Sequence, residues 1–151
     1  AIGEDFAQVF WEMRAEPDYR LRVQLSYDDE IGLVVRAHAD SLTDPGAVHI
    51  DSGAVPVGTI EMASEDLAFG WHRFEVWLDR TRGDESRWRV RFSGFDVLDY
   101  TGALMGESGN IINIAMFAQL HSEEADLSTS SFYQLINDLE LWDQPPLDAF
   151  Q

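Results

Sequence analysis

Guanidinium groups recur at every second residue in two stretches of this sequence, Arg20-Leu21-Arg22 and Arg87-Trp88-Arg89-Val90-Arg91. In an extended strand that spacing puts side chains on one face. Arg87, Arg89 and Arg91 would therefore line one side of their strand, and Arg20, Arg22 and Gln24 one side of theirs. Asn113, Gln119 and His121 share parity further on, as do Gln134, Asp138 and Glu140. Gathered on one concave sheet, such residues would make an arginine-lined groove. Guanidinium pairs bidentately with carboxylate or sulfate, so the chemistry would be recognition of an acidic polysaccharide. The competing reading is a set of solvated faces on which arginine and carboxylate pair across strands, for roughly 0.2–1 kcal/mol each.

Aromatic faces stack on sugar rings, which makes Trp11, Trp77, Trp88, Trp142 and Tyr100 candidates for a binding platform. Parity places Trp88 with Val90 and Phe92, the pattern of a core face. Trp77 instead shares its face with Arg73 and Glu75, so Trp77 and Arg73 are expected to join the ligand-binding set. Oxygen ligands on loops hold hard cations, and a structural calcium ion is the metal such loops would take. The acidic candidates are Asp28-Asp29-Glu30, Asp40 with Asp44, Glu123-Glu124 with Asp126, and Asp138. None has the spacing of an EF-hand loop, and no cofactor is required by any motif.

The same few cations stand against a large excess of acid. The chain carries 28 Asp and Glu against 10 Lys and Arg, for a formal net charge of −18, and every basic residue is arginine. Such a charge repels itself in dilute buffer, but concentrated salt shortens the screening length to roughly 3 Å at 1 M and removes most of that cost. Adaptation to high salt is the expectation; a GC-rich genome that replaces Lys by Arg is the alternative. Duplex nucleic acid is disfavoured as a partner, since its binding is driven by phosphate neutralisation and this surface would repel phosphate. The absence of cysteine excludes disulfides, iron–sulfur sites and thiol nucleophiles. No apolar run approaches the roughly 20 residues that a helix needs to cross a bilayer, so membrane insertion is not expected, and no signal-peptide pattern stands at Ala1.

A chain of 151 residues that is 45% hydrophobic is the size of one domain, taken as 1–151, with one core. Alternation of apolar and polar residues predicts its elements. Tyr19 to Tyr27 alternates strictly and forms a hairpin with Ile31 to Ala37 through the turn-like Asp28-Asp29-Glu30. Phe6 to Arg14 is read as an opening strand. Residues 40–58 are read as loop with minor strands, one of them at 47–50. Phe69 to Asp79 pairs with Arg87 to Phe92 across the turn at 82–85, and Ser93-Gly94 turns the chain into 95–100. Two further strands are expected at 111–121 and 132–142. About eight strands with short turns and no βαβ alternation leave an all-β sandwich or barrel.

The closing half favours the sandwich. The run Trp71-His72-Arg73-Phe74-Glu75-Val76, then Arg89-Val90-Arg91-Phe92-Ser93-Gly94-Phe95-Asp96-Val97, Ile112-Asn113-Ile114 and Tyr133 to Trp142 resembles the second half of concanavalin A-like domains, such as laminin-G-like modules and jelly-roll polysaccharide lyases and glucanases. The resemblance covers roughly 69–142 and its motifs are structural, so it implies a two-sheet antiparallel jelly-roll sandwich and suggests carbohydrate as the ligand class. In the lyases an Arg, a Gln or Asn and a His/Tyr pair do the chemistry. Trp11-Glu12-Met13-Arg14 is faintly similar to one lyase strand and Gln119-Leu120-His121 supplies Gln and His, making Arg14, Gln119 and His121 the catalytic candidates that the resemblance offers. The lyases' Tyr-Lys motif is missing, and so is the E-x-D-x-x-E of retaining glucanases.

Three functions fit these features. The first is a non-catalytic carbohydrate-binding or adhesion module of an extracellular or cell-surface protein in high salt, with Trp77, Arg73, Arg87, Arg89, Arg91, Asn113, Gln119 and Gln134 on its ligand and a polysaccharide or glycoconjugate as its partner. The second is a lyase acting on an acidic glycan. The third is a self-associating subunit of a surface layer, filament or virus particle.

Overall fold

The computed structural model describes residues 6–16, 18–28, 30–41, 43, 48–56, 72–104, 111–121 and 139–141, and for 6–8, 27–28, 32–33, 48–49 and 117–121 the backbone only. The described residues are all-β and form two antiparallel sheets. The larger is built from β1 (Phe6–Ala15), β2 (Tyr19–Asp28), β3 (Gly32–Ser41), β4 (Val48–Asp51) and β9 (Ile111–His121), in the order β4-β3-β2-β1-β9, with the short β5 (Val55–Pro56) also on β3. The smaller is the meander of β6 (Phe74–Asp79), β7 (Arg87–Phe92) and β8 (Phe95–Thr101).

Alternation decides which face of each strand is buried, broken in β1 by an irregularity between Val9 and Trp11 that leaves both Phe10 and Trp11 in the core. On the larger sheet Trp11, Met13, Tyr19, Leu21, Val23, Val35, Ala37 and Ala39 point one way and are buried; on the smaller, Trp88, Val90 and Phe92 do the same. Ring contacts join the two layers. Phe10 meets Phe74 and Phe92 with centroids 5.1 and 5.7 Å apart, and Trp11 meets Trp88 at 6.3 Å. The expected burial of Trp88, Val90 and Phe92 is thus observed, and each sheet is left with a polar face turned away from this core.

The β7–β8 turn is the expected Ser93-Gly94. Both residues have positive φ, 48° and 82°, as a two-residue hairpin with the right-handed twist of its strands requires. The 82–85 turn is present as a short 3-10 segment at Gly83–Glu85.

Three boundaries differ from the sequence reading. β3 runs on to Ser41, because Arg22 and Arg20 of β2 lie in register with His38 and Asp40, so Asp40 is a strand residue and not a loop residue. β6 begins at Phe74; His72 and Arg73 precede the ladder, held to the β7–β8 turn by the Ser93 N–H bonded to the Arg73 carbonyl (2.7 Å) and by His72 Nδ1, 2.8 Å from Ser93 Oγ. The expected strand at 132–142 lies outside the described residues except for 139–141. These three are in no strand, and their side chains are exposed, so alternation there buries no apolar face.

Candidate functional site

Register gathers one group of predicted residues on the outer face of the smaller sheet. Glu75 lies opposite Arg91, Trp77 opposite Arg89 and Asp79 opposite Arg87, while on the other flank Arg87 faces Thr101, Arg89 faces Asp99 and Arg91 faces Asp96. The arginine comb of β7 is therefore bordered by acid on both sides. Arg89 gives Nε and one terminal N–H to the two oxygens of Asp96, both at 3.1 Å; Arg87 reaches Asp99 at 2.8 Å; Arg91 reaches Asp96 at 3.3 Å. The Arg89 hydrogen bonds hold the Asp96 carboxyl below its ordinary range against the opposing effect of burial. Arg73, largely exposed, touches Glu75 at 3.2 Å. The half-buried Trp77 indole stands in this lattice across from Arg89, a residue with most of its surface covered.

The result is a face on which the positive charges are cancelled by neighbouring carboxylates. It presents fixed donors and fixed acceptors beside one aromatic ring. Paired guanidinium and carboxylate planes held this way lose little rotamer freedom when a ligand arrives.

The outer face of the larger sheet carries a second constellation that parity alone did not assemble. Glu12 is buried and accepts from Arg14 Nε at 2.7 Å and from Arg22 Nε at 2.6 Å. Burial would raise its pKa, but the hydrogen bonds from Arg14 and Arg22 together bring it below the usual value. Arg20 grips both oxygens of Asp40 at 2.9 and 2.5 Å, and Arg36 both oxygens of Asp51 at 2.9 and 2.6 Å. The bond from Arg36, opposed by burial and aided by the Gly53 N–H, keeps the Asp51 carboxyl at about 2. His38 sits among them, opposite Arg22 and Asp51. It is buried, its Nδ1 has no hydrogen-bond partner among the described residues, and burial followed by the charge of Arg36 pushes its pKa down. Val34, which shares this face by alternation, is buried too, so the sheet is covered on both sides there. The signal for this cluster was present in Arg36-x-His38-x-Asp40, which continues the β3 period.

The remaining predicted residues are spread apart. Asn113 is exposed in β9, in register with Arg14. Gln119 and His121 pair in register with Gln8 and Phe6, six and eight residues from the Asn113 position, so Gln119 lies roughly 20 Å along the strand from the Arg14 level. Arg14, Gln119 and His121 are thus not gathered at one point. Asn113 and Gln119 belong to the larger sheet, across the core from Trp77 and the β7 arginines. Gln134 lies outside the described residues, as do Asp29, Asp44, Glu123, Glu124, Asp126 and Asp138; Glu30 is exposed, and the Asp28 side chain is not described. Both Asp40 oxygens are taken by Arg20, and among the described residues no three His, Asp or Glu side chains cluster as a metal site.

No family model, no curated protein and no solved structure matches the chain.

Proposed function

We propose that the chain is a non-catalytic carbohydrate-binding module that takes its glycan on the outer face of the smaller sheet, in an extracellular, high-salt setting, and that its two sheets belong to a concanavalin A-like jelly roll. The single observation that carries the binding reading is the lattice around Trp77: an aromatic ring flanked by Arg87, Arg89, Arg91 and Arg73 and by Glu75, Asp96 and Asp99, with the guanidiniums already paired. Sugar hydroxyls donate and accept at once, and neighbouring hydroxyls match planar groups that offer both functions. The ring supplies the apolar contact for the opposite face of the sugar. Because the guanidiniums are neutralised by their own carboxylates, this face suits a neutral glycan better than the uronate or sulfate polymer that arginine parity suggested.

The test is a binding panel of soluble neutral glucans, mannans and galactans alongside a polyuronate, measured calorimetrically in about 2 M NaCl. At least one neutral polymer is expected to bind more tightly than the polyuronate, and Trp77→Ala to weaken it about tenfold, equivalent to about 1.4 kcal/mol. Tighter binding of the polyuronate, or full binding by Trp77→Ala, would overturn the proposal. Appearance of an ultraviolet-absorbing unsaturated product from the polyuronate would establish the lyase reading in its place.

A further inference from the structure

β9 stands out from the rest of the chain by what it lacks. Its 11 residues, Ile111 to His121, include no Asp, Glu, Lys or Arg, although a quarter of the chain is charged. Every other described strand longer than two residues carries at least one such group. Among the described residues β9 is also the last strand of its sheet, paired with β1 on one side. Its first half is uncovered on both faces: Ile111 is 48%, Ile112 57% and Ile114 54% exposed, and Asn113 between them is exposed as well.

Monomeric β-proteins guard an edge of this kind with charge, most often lysine, with proline or with a bulge. This chain has no lysine and β9 has no proline; its register with β1 shifts once, at Ile112, which lies between Asn113 opposite Arg14 and Ile111 opposite Ala15, and among the described residues no strand lies on its other side. Charge also says what fits there. With a net charge of −18, two copies repel over most of their surfaces, and this strand is where they approach without setting carboxylate against carboxylate. We infer that β9 is the interface between two copies of the chain, joined as antiparallel edge strands about a two-fold axis at Asn113. That register sets Ile112 of each copy, the residue at the irregularity of the β1 pairing, opposite Ile114 of the other. It brings the two Asn113 amides face to face, where they can hydrogen-bond to each other. The larger sheets become one continuous sheet, while the Trp77 faces stay outside the interface, so the pairing is independent of the glycan reading.

The experiment is sedimentation equilibrium of the full chain in about 2 M NaCl at roughly 0.1 mM protein. The expected mass is twice the 17.1 kDa of one chain. Ile112→Arg and Ile114→Arg, which change exposed side chains, should give a single-chain mass with an unaltered circular dichroism spectrum. Asn113→Cys tests the register itself, because the chain has no other cysteine and directly opposed antiparallel residues lie within disulfide range. Mild oxidation should convert it to a covalent pair, whereas Phe95→Cys, exposed at the β7–β8 turn, should stay single. A single-chain mass for the unaltered protein, a pair indifferent to both arginine substitutions, an open polymer, or failure of Asn113→Cys to cross-link would each overturn the inference.

Discussion

Glu12→Gln isolates the energetic weight of the buried ion network. Glu12 is 6% exposed, and its carboxylate serves two guanidiniums, Arg22 at 2.6 Å and Arg14 at 2.7 Å. The two arms are unequal. Arg14 is 41% exposed, so its share is that of a surface pair, about 0–1 kcal/mol. The Arg22 side chain is 12% exposed, and removing the charge of its partner leaves a covered cation without its counter-ion, at a cost of about 3 kcal/mol or somewhat more. For a domain of this size each kcal/mol moves the melting temperature by roughly 2–4 °C, so Glu12→Gln should melt roughly 6–12 °C below the unaltered protein. Asp51→Asn is the comparison, because Asp51 and Arg36 are both 36% exposed; its loss should be about 1 kcal/mol at most. Thermal unfolding followed by circular dichroism at several NaCl concentrations separates the two. Added salt should erase the small Asp51 effect and leave the Glu12 effect standing, since screening acts on charges that solvent reaches. A Glu12→Gln melting point within about 2 °C of the parent, or a Glu12 effect that salt removes as it removes the Asp51 effect, would mean that Arg22 does not depend on Glu12 for its counter-charge.

Other consequences can be checked alongside. The melting temperature of the unaltered protein should climb with NaCl or KCl, and a flat response up to about 2 M would show that its net charge of −18 does not oppose folding. Acid should act in two stages. The folded pKa of His38 is depressed, so stability is whole above its ordinary value of 6.5 and falls as pH drops from there towards the folded value. The Glu12, Asp96 and Asp51 carboxyls are also depressed, Asp51 to about 2, so a second loss begins as pH falls through the ordinary carboxylate range and runs on towards the folded values. His38→Gln should flatten the first stage alone in urea unfolding measured from pH 7 to 3; an unchanged slope there would remove His38 as its source. Gly94→Ala meets no atom within 4 Å but must hold φ near 82°, so it should cost about 1–2 kcal/mol by backbone conformation only, again read by urea unfolding.

Much of this architecture could be read from alternation. The strands at 19–27, 87–92, 95–100 and 111–121, the Ser93-Gly94 hairpin and the core role of Trp88 follow from local spacing, because a half-buried strand imposes a period of two on its own residues. Parity also showed that Arg87, Arg89 and Arg91 share a face. It could not show what faces them, since Asp96 and Asp99 come to their side only through a cross-strand register with an irregularity between Val90 and Arg91. The pairing of β1 with β9 brings together residues some hundred positions apart and leaves no local trace. The His38 cluster was missed for a related reason: Asp40 looks like the first residue of an acidic loop until Arg20 is placed opposite it. Which arginines neutralise which acids, and hence whether a face is cationic or balanced, is a property of registers between strands.

The most direct test of the glycan-binding account is a fluorine NMR titration of protein labelled with 5-fluorotryptophan in about 2 M NaCl, using the neutral oligosaccharide that ranks highest in the calorimetric panel. The five tryptophans supply five resonances, and the one missing from Trp77→Phe identifies the indole between Glu75 and Asp79. That resonance should move progressively with ligand while the signal of the buried Trp88 stays in place. A titration in which the Trp77 signal does not move, or in which Trp11 or Trp142 moves instead, would contradict the account.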